Sequence, residues 1–120
     1  MTCTSCHNPH GTTTEKLVPA VSINELCLSC HAAKRGPFLW EHAPVMESCL
    51  NCHQAHGSNI VTLLRVQMPR LCQQCHAQSG HNRSPYTPPA APTSRRYNRS
   101  CVNCHDNIHG SNAPSGLFFT

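Results

Sequence analysis

The chain has 120 residues, a mass of 13.2 kDa and a formal net charge of +4, which bounds it at one small domain. Only 12% of residues are charged and 5% aromatic, while cysteine, histidine and proline each number ten. An ordinary side-chain core is therefore thin, and a cross-link or a bound group must fill the interior. The most apolar run, Ile60 to Met68, is interrupted by Arg65 and Gln67 and is too short for a membrane helix. Cys3 precedes any apolar stretch, so the numbering reads as that of a mature protein or of a fragment, without a signal peptide.

In chain order, the first feature is Cys3-Thr-Ser-Cys6-His7, followed by Asn-Pro-His10-Gly11. Ser22 and Glu25 have capping-box spacing and predict a helix through Cys27 to about Lys34, stopped by Gly36-Pro37. That helix carries Cys27-Leu-Ser-Cys30-His31, and His42 follows it. Glu47 and Ser48 predict a short turn through Cys49-Leu-Asn-Cys52-His53, which runs into Gln-Ala-His56-Gly57. Pro69, set as a first helical residue, predicts a helix through Cys72-Gln-Gln-Cys75-His76 to about Gln78, with His81 beyond. Residues 84–99, with Pro85, Pro88, Pro89 and Pro92, read as an extended surface loop between the fourth and fifth motifs. Arg95, Arg96 and Arg99 make it basic. Ser100 caps a turn through Cys101-Val-Asn-Cys104-His105, and Asp-Asn-Ile-His109-Gly110 follows. No segment reads as a sheet. Phe38, Trp40, Phe118 and Phe119 are candidates to pack on a flat apolar group, and the apolar end from Gly116 to Thr120 is a candidate interface.

All ten cysteines fall in five C-x-x-C-H motifs, the attachment signature of c-type haem. Two thiols form thioethers to the haem vinyl groups, and the adjacent histidine lies under the porphyrin as proximal ligand. Zinc ribbons use such pairs two at a time, and five leave one over. A thioredoxin site needs one pair in a βαβ fold, and disulfides do not call for a histidine after each pair. The cofactor expectation is five covalent haems (haem c, iron), on Cys3 and Cys6, Cys27 and Cys30, Cys49 and Cys52, Cys72 and Cys75, and Cys101 and Cys104. His7, His31, His53, His76 and His105 are the proximal ligands.

The other five histidines, His10, His42, His56, His81 and His109, match the five remaining axial sites. Met1, Met46 and Met68 are too few to serve them. Two histidines across one iron hold their α-carbons roughly 12 Å apart, for metal–nitrogen bonds of about 2 Å. A chain spans at most about 3.5 Å per residue. His10 and His56 each follow a proximal histidine by three residues and cannot pass round their own porphyrin. His109, four after His105, does so only if fully extended. These three are expected to ligate a neighbouring haem. His42 is placed to serve the haem of the second motif or the third, and the partner of His81 stays open.

The motifs begin at 3, 27, 49, 72 and 101, an internal repeat that alternates, because the first, third and fifth share a tail ending in His-Gly. The haems are expected to be the core. Each ferric bis-histidine haem adds about −1, two propionates against one core charge, so five convert the formal +4 to roughly −1. The basic balance is thus internal neutralisation, and nucleic acid is not an expected partner.

The runs CHNPHGT, ELCLSCHAAKRGPFLWEHAPV, CHQAHGS, LCQQCHAQSGH and CVNCHDNIHGSNAPSG resemble the C-terminal half of the MtrA/DmsE/PioA family of decahaem c-type cytochromes, which is related to the NrfB-type pentahaem cytochromes. The resemblance runs from Cys3 to Gly116. It implies a multihaem cytochrome c fold of short α-helices and irregular loops around stacked haems, with no significant β-sheet. Residues 1–120 form a single pentahaem domain on this reading. It also implies electron transfer in periplasmic, outer-membrane-associated or extracellular locations, not cytoplasmic, and no enzyme activity. The family's partners are other redox proteins: quinol-linked or periplasmic donors, outer-membrane or extracellular cytochrome acceptors, and a β-barrel porin. Self-association into a conductive filament is the alternative. A multihaem reductase is disfavoured, because it needs an open iron and all five motifs end in histidine.

Overall fold

The structure, a computed structural model, describes residues 1–76, 100–103 and 105–114. The Pro-rich loop at 84–99, His81, Cys104 and the apolar end from Gly116 to Thr120 lie outside the described residues. Three short helices and six single turns of 3-10 helix make up the regular structure, with two isolated β-bridges and no strand among the described residues.

Helix α1 spans Ile23–Leu28. Ser22 starts it as expected, its hydroxyl accepting from the Glu25 amide at 3.1 Å. It stops short of Lys34, because the chain must turn at Ser29–His31 to close the second motif, and a separate 3-10 turn follows at Ala32–Lys34. Helix α2, Ala43–Glu47, was not foreseen. Pro44 in its first turn presets the backbone, and the His42 carbonyl accepts from Val45 and Met46. Helix α3 spans Arg70–Gln73. Pro69 caps it from outside the first turn rather than opening it as its first residue. At the third motif the Ser48 hydroxyl accepts from the Leu50 amide at 3.2 Å, as the predicted turn requires.

Two cross-links organise these pieces. Asn24 on α1 donates to the carbonyls of Val45 and Met46 at 2.9 and 3.1 Å and accepts from the Cys49 amide at 2.7 Å. One side chain thus ties α1, α2 and the third motif together. Farther along, segment 38–42 is zipped to segment 108–113. Trp40 and Ser111 exchange backbone hydrogen bonds of 2.9 Å, the Leu39 amide donates to Asn112 Oδ1, and the Trp40 indole donates to the Ala113 carbonyl. Phe38 packs directly on Gly110.

The first and third motifs are followed by the same structure, offset by 46 residues. Asn8 donates to the Leu17 carbonyl at 2.8 Å, and Gln54 to that of Leu63 at 2.7 Å. In both copies two residues lie in the left-handed region: Lys16 and Leu17, then Thr62 and Leu63, with φ between 55° and 61°. Val18 and Leu64, which end the two copies, are the only buried hydrophobic side chains among the described residues. The Cα radius of gyration is 17.8 Å, against about 13–14 Å for a compact domain of this length. The described residues therefore form a shell with almost no apolar core of their own.

Candidate haem-binding site

The described residues of the five motifs share one local turn. In each, the histidine amide donates to the carbonyl of the first cysteine four residues back: His7 to Cys3, His31 to Cys27, His53 to Cys49, His76 to Cys72 and His105 to Cys101, all at 2.9–3.0 Å. In the first four, the second cysteine's amide shares that carbonyl at 3.2–3.3 Å. In these four, one tight turn places two thiols and an imidazole on a fixed template. Two intervening residues are what a turn needs to bring both thiols to one edge of a ring.

Imidazoles from distant motifs come together in pairs. His7 faces His56, with ring centroids 5.9 Å apart and planes 19° apart. His42 faces His76 at 6.1 Å and 25°, and His53 faces His109 at 6.2 Å and 15°. Parallel rings in face contact lie about 3.5–4 Å apart. A spacing near 6 Å is what two imidazoles keep across one metal ion: two bonds of about 2 Å plus the distance from each nitrogen to its ring centre. Each pair offers two protein ligands. Among the described residues, no three His, Cys, Asp or Glu side chains converge as a protein-only metal site would need. A porphyrin bound at such a pair would supply the remaining ligands.

In each pair, one ring is oriented by a backbone carbonyl. His7 Nδ1 lies 2.6 Å from the Lys16 carbonyl, His53 Nδ1 2.8 Å from that of Thr62, and His42 Nδ1 2.9 Å from that of Ile108. A carbonyl only accepts, so Nδ1 carries the proton and Nε2 is left as the metal-binding nitrogen. The left-handed backbone at Lys16 and Thr62 is what turns these carbonyls back onto the rings. Burial, followed by the positive charge of Lys34, holds His109 below the ordinary histidine range, which favours its neutral, ligating form.

The thiols of consecutive motifs are neighbours. Cys27 is hydrogen-bonded to Cys49 and feels Cys6; Cys72 is hydrogen-bonded to Cys101; Cys52 feels Cys75. Burial is the main reason all three sit above the ordinary thiol range, with Cys72 pushed to about 11.

The structure therefore brings together six of the ten expected ligands. His56 and His109 each reach a motif other than their own, in line with their short tethers. His42 departs from expectation: it faces His76 of the fourth motif, not His31 or His53, because Ile108 anchors its ring. His10 and His31 are exposed, and neither ring faces another imidazole among the described residues. His81 and Cys104 lie outside the described residues. Sequence reasoning missed Asn24 and the two left-handed corners. The corners carry no glycine, so nothing local marks them.

Comparison with known proteins bears on the motifs themselves. A family model described as a doubled CXXCH motif matches residues 1–36 and 42–81, well over half of the chain. Its two matches coincide with the repeating unit of two motifs seen in the structure. The chain is also 52% identical, over 97% of its length, to a protein of Shewanella baltica (strain OS185) described as multiheme cytochrome MtrA. It spans 37% of the length of that relative.

Proposed function

Starting from a chain that belongs to the doubled-CXXCH family and is a multihaem c-type cytochrome, we propose that its 120 residues form an electron relay of five bis-histidine haems. The observation that carries this reading is the set of three imidazole pairs, 5.9–6.2 Å apart and within 25° of parallel. His7, His31, His53, His76 and His105 are the proximal ligands, and His10, His42, His56, His81 and His109 the distal ones. The ten motif cysteines carry the thioethers. Haem supplies the one-electron iron couple. The chain's own residues attach it, fix its axial nitrogens and leave no position for a substrate. Two histidines per iron favour lower potentials than a histidine–methionine pair. This is the chemistry of a carrier rather than of an enzyme.

Contacts between thiols of consecutive motifs support a haem order that follows the sequence, first to fifth. Electrons would enter at one terminal haem and leave at the other. Haem attachment takes place on the export side of the inner membrane, so the proposed location is periplasmic, outer-membrane-associated or extracellular. The proposed partners are redox proteins: quinol-linked or periplasmic cytochromes as donors, and outer-membrane or extracellular cytochromes as acceptors. A β-barrel porin would be the sheath if the relay crosses the outer membrane.

The test is the intact mass of the exported chain together with its near-infrared spectrum. Five haem additions, with the charge-transfer bands of histidine–histidine iron, are expected. Fewer additions, or bands of histidine–methionine iron, would overturn the reading.

A further inference from the structure

We propose that Lys34, carried by the turn that follows the second motif, raises the reduction potential of the haem ligated by His53 and His109. The inference rests on the bis-histidine reading of that ring pair, whose centroids are 6.2 Å apart. Lys34 ends the 3-10 turn Ala32–Lys34, which begins directly after His31. Gly36, with φ of 72°, turns the chain from there towards Phe38. Phe38 packs on Gly110, the residue after His109, and the 2.9 Å backbone bonds between Trp40 and Ser111 hold that contact. Lys34, Phe38, Asp106 and His109 thereby line one cleft. A cation of the second motif thus stands beside a ligand that the fifth motif delivers to the third.

Beyond burial, the charges that reach the His109 ring are those of Lys34, His53 and His42. In the haem-loaded chain the two histidines are neutral iron ligands, so Lys34 is the full charge that remains. Asp106 shares the cleft but is not among the groups that act on that ring. A ferric bis-histidine core carries about one positive charge, and the electron taken from a redox-protein donor cancels it. A neighbouring cation repels the ferric form and leaves the neutral ferrous core almost untouched, so it favours reduction. In the proposed haem order this is the middle haem of five. Lys34 therefore places an easily reduced site inside the relay and not at an end.

The experiment is a potentiometric titration of the haem-loaded chain and its Lys34→Gln, Lys34→Arg and Arg35→Gln variants, followed by absorbance. Lys34→Gln should displace one haem's share of the absorbance change to lower potential, and Lys34→Arg should keep the parent curve. Arg35→Gln removes a charge from the adjoining residue, which does not line the cleft, and should displace the curve less. The moved haem is assigned in a His109→Ala background. There the haem of His53 is expected to be high-spin, so its electron paramagnetic resonance signal titrates alone. Adding Lys34→Gln should lower the midpoint of that signal. A high-spin midpoint that Lys34→Gln leaves unmoved, or an equal displacement by Arg35→Gln, would overturn the proposal. If His109→Ala stays fully low-spin, the pairing of His53 with His109 fails and the proposal falls with it. That outcome is separable, because it is read with Lys34 in place.

Discussion

In each of the three ring pairs one histidine sits beside its motif cysteines and the other comes from far along the chain, and the two differ in strength of constraint. His7 is fixed by its own motif turn and by the Lys16 carbonyl, while His56 opposite is exposed and its ring makes no hydrogen bond among the described residues. The distal side should therefore yield first. His56→Ala is expected to open the iron held by His7 to cyanide or added imidazole, with one of five haems titrating and four unchanged. His56→Met, if the sulfur ligates, should raise that haem's potential, as methionine does relative to histidine. A potentiometric titration resolves it as a wave displaced upward from the rest. Gly110 presents a different constraint. Its φ of 126° is unfavourable for any side chain, and a Cβ there would strike the Phe38 ring. Gly57 has a similar φ of 131° but open space around it. Both alanine variants incur backbone strain, on the order of 1–3 kcal/mol. Only Gly110→Ala adds overpacking, about 1–3 kcal/mol more. Guanidinium unfolding of the haem-loaded protein should rank Gly110→Ala below Gly57→Ala by that difference.

Among the elements, the helices are too short to be stable on their own, since isolated helices below about 12 residues are marginal in water. What holds them is hydrogen bonding to neighbours, and Asn24 concentrates it. Its three bonds to Val45, Met46 and Cys49 are each worth about 1 kcal/mol net. Asn24→Ala should cost about 2–3 kcal/mol by the same unfolding measurement. Asn24→Asp keeps the acceptor for the Cys49 amide but replaces both donations with a carboxylate facing two carbonyls, so it should do no better than alanine. The 38–42 and 108–113 segments act similarly at longer range: the Ile108 carbonyl sets the His42 ring, and the Trp40–Ser111 bridge sets Ile108. That arrangement explains how the ring of a residue eleven positions after His31 comes to face His76 and not a histidine of either adjoining motif.

At the scale of the whole molecule, what was legible in the sequence divides by the range of the chemistry. Haem attachment is decided within five residues, so all five motifs stand out, as does Ser22, whose cap acts over three. The short tethers of His56 and His109 pointed away from their own haems, for His109 short of full extension, and both rings face imidazoles of other motifs. The identity of each partner was not legible, because it depends on the 46-residue offset between repeats and on corners at Lys16 and Thr62 that no glycine announces. The thin core was legible from composition, and it leads to a prediction about folding. Among the described residues only Val18 and Leu64 are buried apolar side chains, with 6% and 7% of their surface exposed. Burying two such side chains contributes about 1.5–3 kcal/mol each. Ordering the backbone costs about 1–2 kcal/mol for every residue. Two buried side chains are a small return on that ordering, so haem loading and folding are expected to be one event. Chain produced in the cytoplasm, without haem attachment, should show the far-ultraviolet circular dichroism of an unfolded polypeptide and a scattering radius well above 17.8 Å. A haem-free chain with native dichroism and a cooperative melt would mean that the shell holds itself up and that the haems are passengers.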